Sequence, residues 1–249
     1  MRQRTVLLTG ATGAIGSAIA CELARGGVRV ILHYGRNHDA ANALVQEIGQ
    51  NSFSISADFN TPQGATQLWS QAVAKAGRID AVINNAGILS KVSVDATLNH
   101  WQTVWDRDFR VNLLSAADLC RAAIPHFQKN GGGKILNMAS RAAMGGYRGD
   151  AMSYGASKAA LVNLRQSIAS HFGVDGIYAT AIAPGWVRTE MSEDYVREYG
   201  NEAALSDVPV GRMAEPEEIA ELVAFVLRPS QVSLSGAVLD VNGASQMRS

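Results

Sequence analysis

The 249-residue chain balances 22 lysines and arginines against 22 aspartates and glutamates, which gives a formal net charge of zero. This balance gives no reason to expect a nucleic acid or an anionic membrane surface as a partner, and no run approaches the roughly 20 apolar residues of a membrane span. With two cysteines, no Cys-x-x-Cys motif and five scattered histidines, no metal site is predicted and the cysteines are expected to be reduced thiols. The first apolar run, Thr5 to Leu8, is too short for a signal peptide, so we expect a cytoplasmic protein.

Short apolar runs and longer helical patterns alternate along the chain. The predicted strands are 4–9, 28–33, 52–57, 80–84, 133–139, 176–183 and 237–241. The predicted helices lie near 15–26, 38–49, 63–76, 100–129, 152–172 and 216–228. Several strands are apolar without alternation, which is typical of strands covered on both faces. The pattern predicts an α/β fold, one domain over 1–249 with a doubly wound, Rossmann-like parallel sheet of about seven strands and helices on both faces.

A charged stretch at 188–209 interrupts this alternation. It follows the carboxyl end of a predicted strand, which is where ligands bind in such sheets. The stretch could be a surface insert, but its position favours a substrate lid.

The first predicted strand runs directly into a glycine-rich turn and then a helix. The residues expected to hold a pyrophosphate are Gly10, Thr12, Gly13, Ala14, Ile15 and Gly16. Glycine allows a sharp turn and close approach of a phosphate to the backbone, and the helix N-terminus offers free N–H groups. Tight packing of strand against helix also requires glycine, so the turn alone is a weak signal. Its position after an N-terminal strand favours nucleotide binding.

Tyr154 and Lys158 are four residues apart at the start of a predicted helix, so they share one face. An exposed helix pair would look the same. Ser140, however, follows a predicted strand and is expected at the same edge of the sheet. A nearby ammonium should lower the pKa of a tyrosine from its usual value of about 10. Tyr154 could then exchange a proton with a carbonyl oxygen that Ser140 holds by a hydrogen bond.

With these motifs together, the sequence resembles the single-domain branch of the short-chain dehydrogenase/reductase family over essentially its whole length. The matching positions are Thr9-Gly10 to Gly16, Asp58, Asn84 to Gly87, Asn112, Ser140, Tyr154, Lys158, Pro184-Gly185, Thr189 and Val241-Asn242-Gly243. Two departures are Ala14 in place of the second motif glycine, and Thr180 where the family usually has asparagine.

The resemblance implies roles for several further residues in binding a nicotinamide cofactor and in proton transfer. It implies that Asn84, Ala86 and Gly87 lie beside the adenosine ribose and that Asp58, with Phe59, meets the adenine. Lys158 would bind the nicotinamide ribose, and Pro184, Gly185, Val187 and Thr189 would seat the carboxamide. Asn112 would lie at a helix kink and hold a water that connects Lys158 to solvent. A locally bonded helix residue remains an alternative for Asn112, as a turn residue does for Asp58.

The end of the second predicted strand bears on the choice between NAD and NADP. An NAD enzyme of this fold normally has an acid there for the ribose 2′-hydroxyl. This chain instead has Tyr34, Arg36 and Asn37. A guanidinium suits a 2′-phosphate, so NADP(H) is predicted, although Arg36 could also be a solvated loop residue.

The predicted substrate wall contains Arg141, Met144, Tyr147 and Trp186, although Trp186 could equally be a core residue. Similar enzymes that reduce 3-oxoacyl groups on an acidic carrier protein tend to have a basic residue where this chain has Asp175. A free ketone or secondary alcohol is therefore the favoured substrate. Carrier-bound 3-oxoacyl reduction and a non-catalytic NADP-binding regulator remain alternatives. By resemblance, helices 100–129 and 152–172 would pair in a homodimer or homotetramer.

Overall fold

A computed structural model of the chain describes residues 2–247. Seven parallel strands form one sheet in the order β3-β2-β1-β4-β5-β6-β7. The strands are β1 Thr5–Leu8, β2 Arg29–Tyr34, β3 Phe53–Ser56, β4 Ala81–Asn84, β5 Gly133–Met138, β6 Ile177–Pro184 and β7 Val238–Val241. Each lies within one or two residues of its predicted position, and the predicted Rossmann-like sheet is confirmed.

Helices cover both faces of the sheet. They are α1 Ala14–Arg25, α2 His38–Ile48, α3 Gly64–Ala76, α4 Leu98–Phe109, α5 Ser115–Lys129, α6 Ala142–Gly145, α7 Met152–Phe172, α8 Glu190–Tyr199, α9 Asn201–Leu205 and α10 Pro216–Val226. The side chains of β1 alternate between the two layers, with Val6 and Leu8 packed towards α1 and α10, and Leu7 towards α3 and α5. Burial on both faces explains why this strand is apolar at every position.

The sequence pattern missed two features of the helices. The predicted helix 100–129 is divided by a π-helical turn, Arg110–Leu114, between α4 and α5. The π-helical turn contains Asn112, and such turns are frequent at functional sites. The stretch 188–209 contains α8 and α9, which were not predicted because the stretch is rich in charged residues.

The excursion that contains α8 and α9 leaves and rejoins the body of the protein at one place. Val187 and Ala214 form an isolated parallel β-bridge. Backbone hydrogen bonds from Arg188 N to Ala214 O and from Ala214 N to Trp186 O, both 2.9 Å, fasten the two ends together. The intervening segment is thus a closed excursion from the sheet.

Both cysteines are free, with Cys120 buried and Cys21 partly buried. Among residues 2–247, no helix combines the length and apolarity needed to cross a membrane.

Candidate active site

A cleft of about 410 Å³ opens at the carboxyl ends of β1, β4, β5 and β6. The strand order reverses direction between β1 and β4, so helices on opposite faces leave a crevice there. The predicted site residues that line the cleft are Gly10, Thr12, Gly13, Ala14, Ile15, Gly16, Ala86, Gly87, Ser140, Arg141, Tyr147, Tyr154, Lys158, Pro184, Gly185, Trp186, Val187 and Thr189. Residues from six separate parts of the sequence are therefore gathered in one crevice.

The other predicted site residues lie outside this cleft. They are Tyr34, Arg36, Asn37, Asp58, Phe59, Asn84, Asn112 and Met144. Tyr34, Arg36, Asn37 and Asp58 lie at the carboxyl ends of β2 and β3 or just beyond. Phe59, Asn84 and Asn112 are buried, and Met144 lies on α6 with 37% of its surface exposed.

The glycine-rich turn has close contacts that explain two of its glycines. Gly10 has a φ of +63°, and a Cβ there would lie 2.9 Å from the Cα of Ala86. A Cβ on Gly16 would lie 2.2 Å from the carbonyl oxygen of Gly10. By contrast, Gly13 has a φ of −79° and an added Cβ would have no neighbour nearer than 3.7 Å. The first and last glycines are thus required sterically, and Gly13 is not.

The departure at Ala14 is compatible with a phosphate-binding turn. Ala14 is the first residue of α1, and Gly13 is its N-cap without a side-chain hydrogen bond. The first amides of a helix have no acceptors within the helix, and the dipole adds partial positive charge at that end. These amides lie on the cleft wall at Ala14, Ile15 and Gly16. A pyrophosphate fits this end of the cleft on geometry and on charge.

Asn85 supports the same turn, although it was not among the predicted site residues. Its Nδ2 donates to the carbonyl oxygens of Thr9 at 2.9 Å and Gly10 at 3.1 Å. The hydroxyl of Thr9 accepts from the backbone N–H groups of Asn85 and Ala86, both at 2.9 Å. The Asn-Asn pair in the sequence was the available signal. Its first member, Asn84, is buried and donates to Asn137 Oδ1 at 2.8 Å instead.

His33 lies buried beneath the turn and was not predicted from the sequence. Its Nδ1 accepts a hydrogen bond from Gly10 N at 3.1 Å, and Nε2 lies 3.1 Å from the carbonyl oxygen of Ala57. Burial lowers the pKa of His33 to about 4. The ring is therefore neutral at physiological pH and holds the turn as an acceptor.

Exposed side chains form the rim beyond β2 and β3. Arg36 is exposed, and its positive charge contributes to lowering the pKa of Asp58, after hydrogen bonds from Asn60 to that carboxylate. Asn37 caps α2 by accepting from Ala40 N at 3.0 Å. The ring of Phe59 is buried and stacks on His33 with centroids 4.1 Å apart. Only its backbone is therefore available to a ligand.

Lys158 is buried, and no carboxylate among residues 2–247 forms an ion pair with it. Its Nζ donates to the carbonyl oxygen of Met138 at 2.9 Å, which fixes it beside the end of β5. A Cβ on Gly87 would lie 3.1 Å from the same nitrogen, so glycine at that position leaves room for the ammonium. Burial lowers the pKa of Lys158 to about 8. The side chain is thus still mostly charged near pH 7.

Tyr154 corrects one expectation drawn from the sequence. Its packed surroundings disfavour the phenolate and raise the pKa of Tyr154 to about 12, whereas the nearby ammonium was expected to lower it. The Nζ of Lys158 lies 5.7 Å from the ring centroid and bonds to Met138 instead. Desolvation therefore sets the direction of the shift in the pKa of Tyr154. A hydrogen bond with Ser140 acts in the opposite direction and lowers the pKa.

Asn112 lies in the π-helical turn and connects three parts of the site. Its side chain accepts from Ile88 N at 2.7 Å and donates to Ile88 O at 2.9 Å. It also donates to the hydroxyl of Ser157 at 3.0 Å, and Ser157 donates to the carbonyl oxygen of Tyr154 at 2.8 Å. These contacts span 24 and 45 residues of sequence, so the alternative of a purely local backbone bond is wrong.

Asp108, also unpredicted, is a buried carboxylate close to this cluster. It accepts hydrogen bonds from the hydroxyls of Ser90 and Ser153, both at 2.6 Å. Ser153 directly precedes Tyr154, so the carboxylate connects α4 to the start of α7.

A second cavity of about 340 Å³, here called the side cavity, adjoins the cleft. Three predicted substrate residues, Arg141, Tyr147 and Trp186, line both cavities, so Trp186 lies on a cavity wall. The remaining side-cavity residues are Gly145, Gly146, Arg148, Tyr195, Ala203, Ser206, Asp207, Ser245 and Gln246. The excursion provides four of these, and its residues Thr189 to Ser192 line the main cleft. Among residues 2–247, no group of three or more His, Cys, Asp or Glu side chains is placed to hold a metal ion.

Comparison with known proteins places this arrangement in a family. A family model described as enoyl-(acyl carrier protein) reductase matches residues 10–244. The chain belongs to the short-chain dehydrogenase/reductase family. The resemblance inferred from its motifs is thereby confirmed.

Relatives within this short-chain dehydrogenase/reductase family act on different substrates. The chain is 31% identical to a 3-oxoacyl-[acyl-carrier-protein] reductase of Synechocystis sp., with 98% of this chain and 97% of that protein covered. It is also 31% identical to a 7alpha-hydroxysteroid dehydrogenase of Escherichia coli, with 96% and 93% covered. Among solved structures, a 3-ketoacyl-(acyl-carrier-protein) reductase from Brucella melitensis complexed with NADH matches with a TM-score of 0.87 and 27% identity, over 98% of both chains.

Proposed function

We propose that this chain transfers a hydride between NADP(H) and a ketone or secondary alcohol, with Tyr154 as the general acid and base. One observation carries the proposal. Ser140, Tyr154 and Lys158 line the same cleft as the N-terminus of α1, so the acid–base group and the phosphate-binding turn face one ligand. Membership of an oxidoreductase family supports the reaction class.

The cofactor, when bound, supplies the hydride chemistry. The pyrophosphate would lie against the first amides of α1. Lys158 would bind the nicotinamide ribose, and Pro184, Gly185, Val187 and Thr189 would hold the carboxamide end. The adenosine end would extend along Ala86 towards the rim at Arg36 and Asp58. The space beside Gly13, where an added Cβ would have no neighbour nearer than 3.7 Å, supports a ligand that approaches the backbone closely.

At the other end of the cleft, the hydroxyl of Ser140 and the phenol of Tyr154 would both bond to the substrate oxygen. In reduction, Tyr154 gives its proton to that oxygen as negative charge develops there. Its pKa of about 12 in the protein without ligand keeps the proton in place until then. The charge of Lys158 and the hydrogen bond from Ser140 stabilise the phenolate that remains. Asn112 fixes the position of the loop after β4 relative to α7, the helix that carries Tyr154.

The substitution Tyr154→Phe tests this mechanism. It removes the proton donor and keeps the ring, so ketone reduction should fall by at least roughly 10³-fold. Binding of NADPH, followed by its fluorescence, should stay within about twofold. Retained turnover would exclude Tyr154 as the acid. A wild-type protein that binds NADPH but reduces no ketone or aldehyde would instead favour a non-catalytic regulator.

A preference for NADP(H) is supported by Arg36, which is exposed at the rim, and by Tyr34 where an acid would serve the 2′-hydroxyl. Wild-type protein should bind NADPH at least roughly tenfold more tightly than NADH, since a guanidinium–phosphate contact contributes about 1.5–3 kcal/mol. Arg36→Ala should remove most of that ratio, and Tyr34→Asp should shift it towards NADH. As the matched control, Arg197→Ala removes an arginine on α8 that lies outside both cavities, and it should leave the ratio of NADPH to NADH affinity unchanged. Tighter binding of NADH by wild type would overturn the preference.

A second candidate is reduction of 3-oxoacyl groups on a carrier protein, as the names of several relatives suggest. Asp175 opposes it, since this carboxylate is exposed in the turn before β6 and accepts from Gln128 at 2.8 Å, where an acidic carrier would meet negative charge. We expect a free ketone to be reduced at least as well as a carrier-bound 3-oxoacyl group. Much faster turnover of the carrier-bound form than of its free thioester analogue would favour the second candidate.

Two structural roles complete the proposal. The stretch 188–209 acts as a substrate lid, supported by its residues on the walls of both cavities.

The chain forms a homodimer or homotetramer through α4, α5 and α7. A stack of partly exposed rings along α4, Trp101 on Trp105 and Trp105 on Phe109, supports an interface there. Mass photometry should therefore find dimers or tetramers, and Trp101→Glu should dissociate them.

A further inference from the structure

The side cavity adjoins the place where the substrate oxygen would lie, because it shares three wall residues with the main cleft. Arg141 directly follows Ser140 in sequence, and its side chain lines both cavities. Tyr147, whose ring centroid lies 5.5 Å from that of Tyr154, and Trp186 also belong to both. A substrate with its carbonyl at Tyr154 would therefore extend into the side cavity.

The charged residues on the side-cavity wall are Arg141, Arg148 and Asp207. Arg148 pairs with Asp150 and Arg141 pairs with Asp207, so both guanidinium groups are compensated within the protein. An anion in the cavity therefore needs an arginine that can leave its present partner.

The two arginines differ in how far their hydrogen bonds are satisfied within the protein. Arg148 makes two 3.2 Å bonds to Asp150 and a 2.6 Å bond to the hydroxyl of Tyr199, and it lies 4.2 Å from the centre of the Tyr199 ring. Arg141 pairs with Asp207 on the lid segment and lies 5.5 Å from the Trp186 ring centroid. The Asp207 side chain is 52% exposed, whereas that of Arg141 is 18% exposed. Water can solvate Asp207 if Arg141 changes partner, so Arg141 is the exchangeable cation.

Two buried polar atoms on the same wall lack hydrogen-bond partners among residues 2–247. They are the indole Nε1 of Trp186 and the hydroxyl oxygen of Ser245. A buried donor without an acceptor costs about 1–3 kcal/mol, a cost that an acceptor brought by a ligand would remove. Both are donors, and a carboxylate offers about four acceptor positions.

We propose that the side cavity binds a carboxylate of the substrate, with Arg141 exchanging Asp207 for the substrate anion. The substrate is then a keto acid, or the corresponding hydroxy acid in the reverse reaction. This inference rests on the proposed function, because the carbonyl must lie at Ser140 and Tyr154 for the acid group to reach Arg141. Asp207 occupies the guanidinium in the protein without substrate and is released when the anion binds.

Acid and ester pairs of simple ketones provide the test. The probes are 4-oxopentanoate, 5-oxohexanoate and 4-acetylbenzoate, each compared with its methyl ester. Two quantities are measured for each pair: kcat/KM with NADPH, and Kd from quenching of tryptophan fluorescence in the presence of NADP⁺. For at least one spacing, wild type should favour the acid by roughly tenfold, the effect of a hydrogen bond to a charged group.

Substitutions then separate recognition from structural support. Arg141→Ala should reduce the acid-to-ester ratio by roughly tenfold. Arg197→Ala, which removes an exposed lid arginine that pairs with Asp194, should leave that ratio unchanged. Asp207→Asn should raise the ratio a few-fold, because it removes the competitor of the substrate anion. If the Arg141–Asp207 pair only stabilised the lid, Asp207→Asn would weaken acid and ester equally.

The outcomes distinguish this inference from the proposed function. Equal binding and equal turnover of acid and ester in all three pairs would overturn the carboxylate site and leave ketone reduction intact. Acid-selective binding that depends on Arg141 without any turnover would support the carboxylate site and overturn the proposed reaction. A ratio that falls in Asp207→Asn would also overturn the exchange.

Discussion

The side chain of Asn112 bonds to both backbone groups of Ile88, accepting from its N–H at 2.7 Å and donating to its carbonyl oxygen at 2.9 Å. The buried amide thus forms the hydrogen bonds that a neighbouring strand would otherwise form with the backbone just after β4. Asn112→Asp keeps the acceptor and removes the donor, which leaves a buried carbonyl unpaired and adds a charge. We expect a loss of about 2–3 kcal/mol in the free energy of unfolding, measured in urea.

The control for this substitution is Asn42→Asp on α2, where the amide is exposed and bonds to His38 on the same helix. It should change the free energy of unfolding by less than about 0.5 kcal/mol. Equal effects of the two substitutions would contradict a special role for the Ile88 contact.

His33 should make the stability of the protein depend on pH between about 4 and 6.5. Burial lowers the pKa of its folded-state imidazole to about 4, whereas the unfolded chain accepts a proton below about pH 6.5. The unfolded state therefore binds more protons in this window, and its free energy relative to the folded state falls as the pH falls. The contribution of the neutral, buried His33 to the free energy of unfolding is complete above pH 6.5 and decreases by roughly 3 kcal/mol by pH 4. Urea titrations across this range measure it.

In His33→Asn the amide can still accept from Gly10 N, but the titrating group is gone. The slope of unfolding free energy against pH should therefore be smaller in this variant than in wild type between pH 4 and 6.5. Parallel pH profiles of the two proteins would show that His33 does not carry the effect.

Ser140 should influence the pH at which Tyr154 can accept a proton. Its hydrogen bond lowers the pKa of Tyr154, so Ser140→Ala should raise that pKa and move the acidic limb of alcohol oxidation to higher pH. The rate at the optimum should fall by about 10²-fold, because a hydrogen bond to the substrate oxygen is also lost. Initial rates of alcohol oxidation between pH 6 and 10.5 measure both effects at saturating NADP⁺, whose positively charged nicotinamide lowers the pKa of Tyr154 from its value in the free protein. Ser140→Thr retains a hydroxyl and should restore much of the rate and the wild-type pH limb; a variant with an unshifted limb would contradict the contact.

The glycine-rich turn should tolerate one alanine substitution and reject another. In Gly16→Ala the new methyl group would lie 2.2 Å from the Gly10 carbonyl oxygen, which is a backbone clash. We expect a loss of about 1–3 kcal/mol in the free energy of unfolding. Gly13→Ala adds a methyl group whose nearest neighbour is 3.7 Å away and should change stability by less than about 0.5 kcal/mol. Thermal unfolding of both variants compares them, and a stable Gly16→Ala protein would contradict the packing described here.

Much of the fold followed from local sequence patterns. Most strands are apolar or β-rich runs bounded by polar or glycine residues, and all seven were predicted within one or two positions. The helix α8 has a regular apolar spacing, with Met191, Tyr195 and Tyr199 four residues apart, but it lies in a stretch so rich in charge that no helix was predicted. It is fastened by a cap at Thr189 and by contacts with distant residues, such as the exposed ion pair between Lys91 and Glu198, whose own contribution is weak. Apolar periodicity carries no information about contacts of this kind.

The candidate site divides in the same way. Ser140, Tyr154 and Lys158 are predictable because they stand at fixed distances from a strand and a helix start. The pKa of Tyr154 was wrongly expected to be low, because desolvation depends on packing by residues far away in sequence. Asp108 and His33 were missed because a single acid or histidine has no motif. Each is defined only by partners more than 15 positions away.

The bridge between Val187 and Ala214 allows the residues that line the substrate cavities to change during evolution independently of the sheet. Because both ends of the excursion are fastened at one point, its length and composition can change without moving the sheet. A longer excursion adds little closure entropy, about 0.6 kcal/mol for each doubling of length. Residues 190–213 therefore constitute an exchangeable cassette. Grafting the corresponding segment of a relative between Thr189 and Ala214 should transplant substrate preference while the host retains Thr189 and its cofactor binding.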